Sequence, residues 1–562
     1  MDWSAIAAAR RRLAREQGTI VKDWGGRLPI ALIYPHTYYA GMSSLGLQTL
    51  YGFWNSLPDV VCERAFADPD ALRSEPLALE SQRPLSDFPV LAFSVPYELD
   101  YWNVVALLKA AGVPPLAAER DKTHPLVIAG GPALTANPEP LAPVCDAIAI
   151  GEGEVILPPL TAALREGITG ERSTLLAALA RLPGVYVPSV MFQVPGSKFH
   201  VPGSMFQAQR SQSPNVELET WNLERQYAAD LDAFATTSVV LTRDTEFGHL
   251  YLIEAARGCG RGCRFCLVGQ CYRPVRYRSV ARLVEQARAG LRHRRTIGLV
   301  GAAVSDHPQI DELVGELRRL GARLAVSSWR ADALSAPLLQ ALVESDARGV
   351  TLAPEAGTQR LRRLIGKNIM EEHLERAVRL AGRLGVQELK LYFMLGLPTE
   401  SAEDVLAIAD LAARIAGWSG CRVTVSVAPF VPKAQTPFQR LAMAPVAVLE
   451  ERLARLRQAL RRHGITLRAE SPAWSAVQGV LARGDRRLAA VLAAMPENTL
   501  AAWDAAMSAA GLQATDYLRQ RAADEPLPWR HVVRESVIRE SGNQGLPRSL
   551  IPSFPDYLSQ ER

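Results

Sequence analysis

Residues 254–266 read Glu254-Ala-Ala-Arg-Gly-Cys259-Gly-Arg-Gly-Cys263-Arg-Phe-Cys266. The apolar run Leu250–Ala255 leads into them and predicts a strand, so the three cysteines fall on the loop at its carboxyl end. On such a loop, C-x3-C-x2-C spacing lets each thiolate take one iron of a cubane cluster and leaves the fourth iron open. Gly258, Gly260 and Gly262 allow the chain to wrap the cluster, and Arg257, Arg261 and Arg264 would offset its negative charge. A structural zinc site would need a second C-x2-C knuckle, and none follows. Three buried, inert cysteines are the plain alternative.

Downstream, strands are predicted at Thr296–Val300, Arg323–Val326, Val350–Ala353, Leu389–Met394 and Arg422–Ala428. Helices fit between them at 279–292, 309–320, 335–345, 371–384 and 402–416. Six βα units make a partial (βα)6 barrel over 238–440 the expectation. After Thr436–Pro437 the pattern turns helical, giving a small helical C-terminal domain over 441–562.

Upstream of the barrel, apolar runs again alternate with helices. Leu28–Tyr34, Val60–Ala65, Val90–Val95, Leu126–Gly130 and Ala147–Ile150 read as strands, with helices at 43–55 and 100–111 and another opening at Glu152. This is an α/β pattern: a Rossmann-like, doubly wound parallel sheet over 28–185, preceded by an N-terminal helix within 1–27. Its ligands should lie at the carboxyl ends of the strands, on the loops 35–44, 96–102, 130–138 and 151–154. Gly130, Gly131, Gly151 and Gly153 let the backbone approach a flat or phosphate-bearing ligand; tight βα turns are the plain reading. Residues 186–237 break the alternation. VPSVMFQ (187–193) returns as VPGSMFQ (201–207), which predicts a β-hairpin linker.

Composition narrows the function classes. With 48% hydrophobic and 22% charged residues, the 562-residue chain can bury a sizeable core. Its 56 arginines and seven lysines leave a net charge of only +5, and acids are interleaved with the arginines, so no basic stripe for nucleic acid stands out. No run is long and apolar enough for a membrane span, and the N-terminal stretch lacks the apolar centre of a secretory signal. Four of the seven cysteines fall between 259 and 271, which argues for metal binding in a reducing cytoplasm.

These residues resemble the radical S-adenosylmethionine (SAM) superfamily, and more closely its branch with a cobalamin (B12)-binding domain ahead of the barrel. ARGCGRGCRFC, YRPVRYRS (272–279), APEAGTQRL (353–361), KLYFMLGLPTE (390–400) and VAPFVPKAQTPFQ (427–439) resemble that branch's barrel segments. GGP (130–132) and GEGE (151–154) resemble its N-terminal domain. The resemblance implies a [4Fe–4S] cluster on Cys259, Cys263 and Cys266. It further implies SAM beside Phe265, Glu355, Gly396, Leu397 and Pro398, and cobalamin beside Tyr38, Ser43, Ser44, Tyr97, Gly130, Gly131, Gly151, Glu152 and Gly153.

Two departures stand out. The branch's Asp-x-His-x-x-Gly pattern is absent: His36 lacks the aspartate two residues earlier and is a weak candidate for a cobalt ligand. Cys271 follows Cys266 by five residues and reads as a fourth cluster ligand, a substrate-facing thiol or a packing residue.

The implied function is a cobalamin-dependent methyltransferase acting on carbon or phosphorus in a small molecule or peptide, with a flavodoxin-type reductase as electron donor. One alternative is a cobalamin-free enzyme that transfers another part of SAM, such as its aminocarboxypropyl arm, or performs a rearrangement. A remoter one is an iron–sulfur electron-transfer or scaffold protein.

Overall fold

The computed structural model describes residues 3–69, 72, 74–191, 223–326 and 330–533. Near-continuous apolar runs, as in Leu28–Tyr34, suit strands covered on both faces. The strands are β1 (Leu28–Tyr34), β2 (Val60–Phe66), β3 (Val90–Ser94), β4 (Leu126–Gly130), β5 (Ala147–Ala149) and β6 (Val185–Tyr186). They form one sheet in the order β2-β1-β3-β4-β5-β6, parallel except for β6. The order reverses between β1 and β3, and such a reversal opens a crevice at the carboxyl ends of the two strands.

Helices Leu45–Ser56 and Gly153–Gly167 cover one face of the sheet, packing Leu47, Trp54, Leu157 and Leu160 against Ile30, Leu32 and Ile128. The other face is short of local cover. The crossover from β4 to β5 carries only the five-residue helix Pro132–Ala136 and a 3-10 turn. Helix Tyr101–Ala110 fills part of the space, and helices from the far end of the chain fill the rest: Val480, Leu488, Leu492 and Trp503 share a core with Leu91, Phe93 and Val127. The C-terminal helices therefore roof the N-terminal sheet.

After β7 (Leu223–Glu224) the barrel begins. Its strands are β8 (Leu250–Glu254), β11 (Thr296–Val300), β12 (Arg323–Val326), β13 (Gly349–Glu355), β14 (Glu388–Leu395) and β15 (Arg422–Pro429). Between the first two lies a short antiparallel pair, β9 (Ala256–Arg257) and β10 (Arg276–Tyr277). The six main strands coincide with the six expected from the sequence. A seventh, β16 (Thr466–Ala469), pairs parallel with β15 after the helix Val446–Arg462, so the region beyond 441 is not wholly helical as expected. The strands run in two ladders, β12-β11-β8 and β13-β14-β15-β16; among the described residues β12 and β13 share no ladder. The helices outside them bury one alternating set of residues, Leu389, Leu391, Phe393 and Leu395 on β14 for instance.

The expected hairpin at 187–207 lies mostly outside the described residues. Its described beginning, Pro188–Met191, is a helical turn. Near the end of the described chain, β17 (Val532–Val533) pairs with β7, and Trp529 is buried beside Ala136, Cys271 and Ala434.

Candidate active site between sheet and barrel

The cysteine loop leaves β8 and is pinched at its base by the β9–β10 pair. Gly258 has φ +80°, and a Cβ there would meet the Tyr272 carbonyl oxygen at 1.9 Å, so only glycine fits. Arg264 binds its surroundings through its backbone, its N–H donating to Ile365 O (2.8 Å) and its carbonyl accepting from Phe438 N–H (3.3 Å).

Cys263 is buried, while Cys259 and Cys266 are half-buried. Burial raises the Cys263 thiol above its ordinary pKa, opposed by the nearby charges of Lys367 and Arg330. Cys266 is likewise raised by burial, opposed by backbone N–H groups of Gly269 and Val268 directed at its sulfur. Among the described residues no three Cys, His, Asp or Glu side chains converge closely enough to share one metal ion. Yet Cys266 senses the charge of Cys259, and Cys263 that of Cys266, so the thiols are neighbours spread around a common space. A cubane fits that arrangement, because each thiolate binds a different iron.

Two arginines of the loop are drawn into ion pairs, and Arg261 also feels the charge of Cys259. Arg257 is committed to Glu152, Glu154 and Glu254, and Arg261 pairs with Asp306 (2.8 Å) and Asp332 (3.4 Å). Lys367 and Arg330, neither singled out in the sequence, are the cations felt by Cys263. Lys367 is held by Glu355 at 3.0 Å, and Glu355 itself adopts φ +70° at the end of β13.

Of the residues expected around SAM, Phe265 and Leu397 meet in one apolar cluster with Ala356, Ile365, Phe430 and Phe438. Gly396 and Leu397 direct their N–H groups at Glu400 (2.9 and 3.4 Å), which Arg452 neutralises at 2.8 Å. Pro398 continues the same turn.

Cys271 is buried against Ala136 and Trp529. Its burial there gives Cys271 a packing role between the sheet loop and the end of the described chain.

Beside the cysteine loop lies a cavity of about 400 Å³. Its inner part is apolar, a slot between the sheet and its helices bounded by Leu32, Ile128, Ala147, Trp54 and Leu157. Its rim holds Gly130, Gly131, Gly151, Glu152 and Gly153, and it reaches Glu254 and Arg257 on the barrel side. Those five rim residues are among the nine expected around cobalamin; the other four lie off its walls. Tyr38 is a core residue bonded to Glu16, Ser43 bonds Thr245, Ser44 caps the helix Leu45–Ser56, and Tyr97 faces Lys433. His36 is exposed and outside the cavity wall, its Nδ1 accepting the N–H of Thr37 at 2.8 Å.

The crevice between β1 and β3 carries Asp100, on the expected ligand loop 96–102 but not singled out there in the sequence. Burial, reinforced by Glu98, pushes its carboxyl up to about 7. Tyr34, at the end of β1, is pushed up to about 12 by burial and by Asp100.

A doubly wound sheet set against the mouth of a parallel barrel, with a three-cysteine loop between them, defines an iron–sulfur barrel enzyme. The chain belongs to the radical SAM superfamily, whose cofactors are a [4Fe–4S] cluster and SAM: the model described as Radical SAM superfamily matches residues 253–412, and that described as Radical SAM proteins, N-terminal matches 46–188. Among curated relatives, the chain is 28% identical over 473 residues to uncharacterized protein MJ0966 of Methanocaldococcus jannaschii, covering 82% of this chain and 90% of that one. It is 30% identical over 191 residues to uncharacterized protein MK0932 of Methanopyrus kandleri, covering 31% and 36%. Among solved structures it is similar to the radical SAM methyltransferase TsrM from Kitasatospora setae with cobalamin and [4Fe–4S] cluster bound, at 14% identity and TM-score 0.45, covering 75% of this chain and 76% of that. It is also similar to the cobalamin-dependent radical SAM enzyme OxsB, at 14% identity and TM-score 0.45, covering 69% and 52%. No helix among the described residues is long and apolar enough to cross a membrane.

Proposed function

We propose that this radical SAM enzyme is a cobalamin-dependent methyltransferase acting on a carbon or phosphorus centre of a small molecule or peptide in the cytoplasm, with a flavodoxin-type reductase as electron donor. The observation that carries the reading is the cavity beside the cysteine loop. It combines an apolar slot between sheet and helices with a glycine-rich rim, and it opens toward the barrel mouth. A large flat cofactor with an aromatic appendage suits that combination.

Cys259, Cys263 and Cys266 would hold the cluster, whose open iron binds SAM and whose electron cleaves it. Phe265 and Leu397 would offer the adenine an apolar wall, and Lys367 and Arg330 hold positive charge beside the thiols. The test is anaerobic reconstitution with iron, sulfide and hydroxocobalamin, followed by gel filtration and assay with methyl-labelled SAM. About four irons and about one cobalt per chain, with label leaving SAM as a methyl group, are expected. Iron without retained cobalt would instead support the cobalamin-free enzyme transferring another part of SAM. That second reading has one observation in its favour: no histidine among the described residues lines the cavity.

A further inference from the structure

The loop that carries the cysteines is fastened at both ends to the ligand loops of the N-terminal sheet. At its entry, Arg257 is separated from Cys259 by a single glycine. Its guanidinium donates to Glu152 at 2.9 Å, to the two oxygens of Glu154 at 2.6 and 3.0 Å, and to the two oxygens of Glu254 at 2.8 Å. Glu152 also accepts from Arg276 at 2.6 and 2.8 Å and from the N–H of Ala228 at 3.0 Å. At the exit, the turn Val268–Cys271 buries Cys271 against Ala136, the last residue of the helix that follows β4. Entry and exit therefore rest on the loops after β5 and β4, and both loops contribute to the cavity rim.

Glu152, Glu154, Glu254 and Arg257 themselves line the cavity. The three acids are matched by Arg257, Arg276 and Arg278, so the network is electrically balanced as it stands. A ligand filling the cavity touches these carboxylates. Any redirection of one changes what holds Arg257, and with it the path of the chain into Cys259.

We propose that Arg257 is a positioning residue that couples occupancy of the N-terminal cavity to SAM binding at the cluster; the proposal rests on the cobalamin reading above. Such coupling is reciprocal: each ligand changes the dissociation constant of the other by the same factor. The experiment uses the full chain, anaerobically reconstituted. The dissociation constant of SAM is read by equilibrium dialysis against the oxidised cluster, with and without hydroxocobalamin. That of hydroxocobalamin is read by equilibrium dialysis, with and without SAM.

In the wild type both constants should change by a common factor of about five or more. In Arg257→Gln both ligands should still bind, with the factor falling to about one, and Arg257→Lys should restore part of it. Glu154→Gln removes one of the two sheet-side carboxylates that hold Arg257, should lower the factor, and serves if the Arg257 variants fail to hold iron. Two bound ligands with a factor of one in the wild type, or an unchanged factor in Glu154→Gln or in an iron-replete Arg257→Gln, would overturn the proposal alone. Hydroxocobalamin that does not bind the wild type at all would overturn the cobalamin reading and this proposal together.

Discussion

Lys433, just past the last strand of the six-unit barrel, places its Nζ 2.7 Å from each carboxylate oxygen of Glu98, just past β3 of the sheet. Gln478 donates to the same carboxylate at 3.1 Å, so three parts of the chain meet on one acid. Removing one partner of a mostly buried pair leaves the other charge uncompensated. Glu98→Gln is therefore expected to destabilise the protein by about 2–3 kcal/mol, and Glu98→Gln/Lys433→Met should recover part of that loss. Chemical denaturation of the three proteins checks this; a double variant no more stable than the single would count against the pair.

Asp100 makes stability depend on pH. Folded, it keeps its proton up to about pH 7, whereas its ordinary value is 3.8. Between those values the folded chain holds more protons than the unfolded one, so the contribution present at low pH is lost as pH rises toward 7. Asp100→Asn lacks this dependence. Its stability relative to wild type should grow from pH 5 to 7 and level off above, by about 2–3 kcal/mol. A flat difference across that range would refute the assignment.

Iron content separates the four clustered cysteines. Cys259→Ala, Cys263→Ala and Cys266→Ala should each lose most of the reconstituted iron and all SAM cleavage. Cys271→Ala should keep both and lose about 1–2 kcal/mol of stability through the space opened beside Trp529.

Gly151 has φ +129°, and a Cβ there would meet Gln226 O at 2.1 Å. Gly151→Ala should lower the unfolding free energy by about 2 kcal/mol or more, because backbone must move on one side or the other. The displaced chain forms the cavity rim, so hydroxocobalamin retention should fall as well.

With His36 exposed and outside the cavity wall, no histidine among the described residues is placed to reach cobalt there. Electron paramagnetic resonance of the cob(II)alamin-loaded protein should show no protein-derived nitrogen splitting, and His36→Ala should leave the spectrum unchanged.

What could be read in the sequence follows from how local each signal is. The six barrel strands and the parallel sheet announced themselves because their strands are short apolar runs set between amphipathic helices. β16 did not: Thr466-Leu-Arg-Ala is polar, exposed and shorter than the helix before it, and only pairing with β15 makes it a strand. Cysteine spacing is a local property and pointed to the loop at once. The sheet-side partners of Arg257 are 103 and 105 residues distant in sequence, so its role appears only in three dimensions. Of the acids of GEGE, Glu152 reads as a ligand contact and Glu154 is not singled out, and Arg257 binds both. Tyr38 and Ser44 looked like ligand contacts because they follow a strand, but core packing and helix capping claim them.

The roof over the N-terminal sheet has a consequence for how the protein is made. Val480, Leu488, Leu492 and Trp503 leave the ribosome 353 residues or more after Val127, yet they close the apolar face of strands made early. Chains grow at about 5–20 residues per second, so the nascent sheet waits many seconds with Leu91, Phe93 and Val127 uncovered. A fragment ending at residue 191 should therefore aggregate instead of behaving as a free domain, and cluster insertion into the intact enzyme should follow translation.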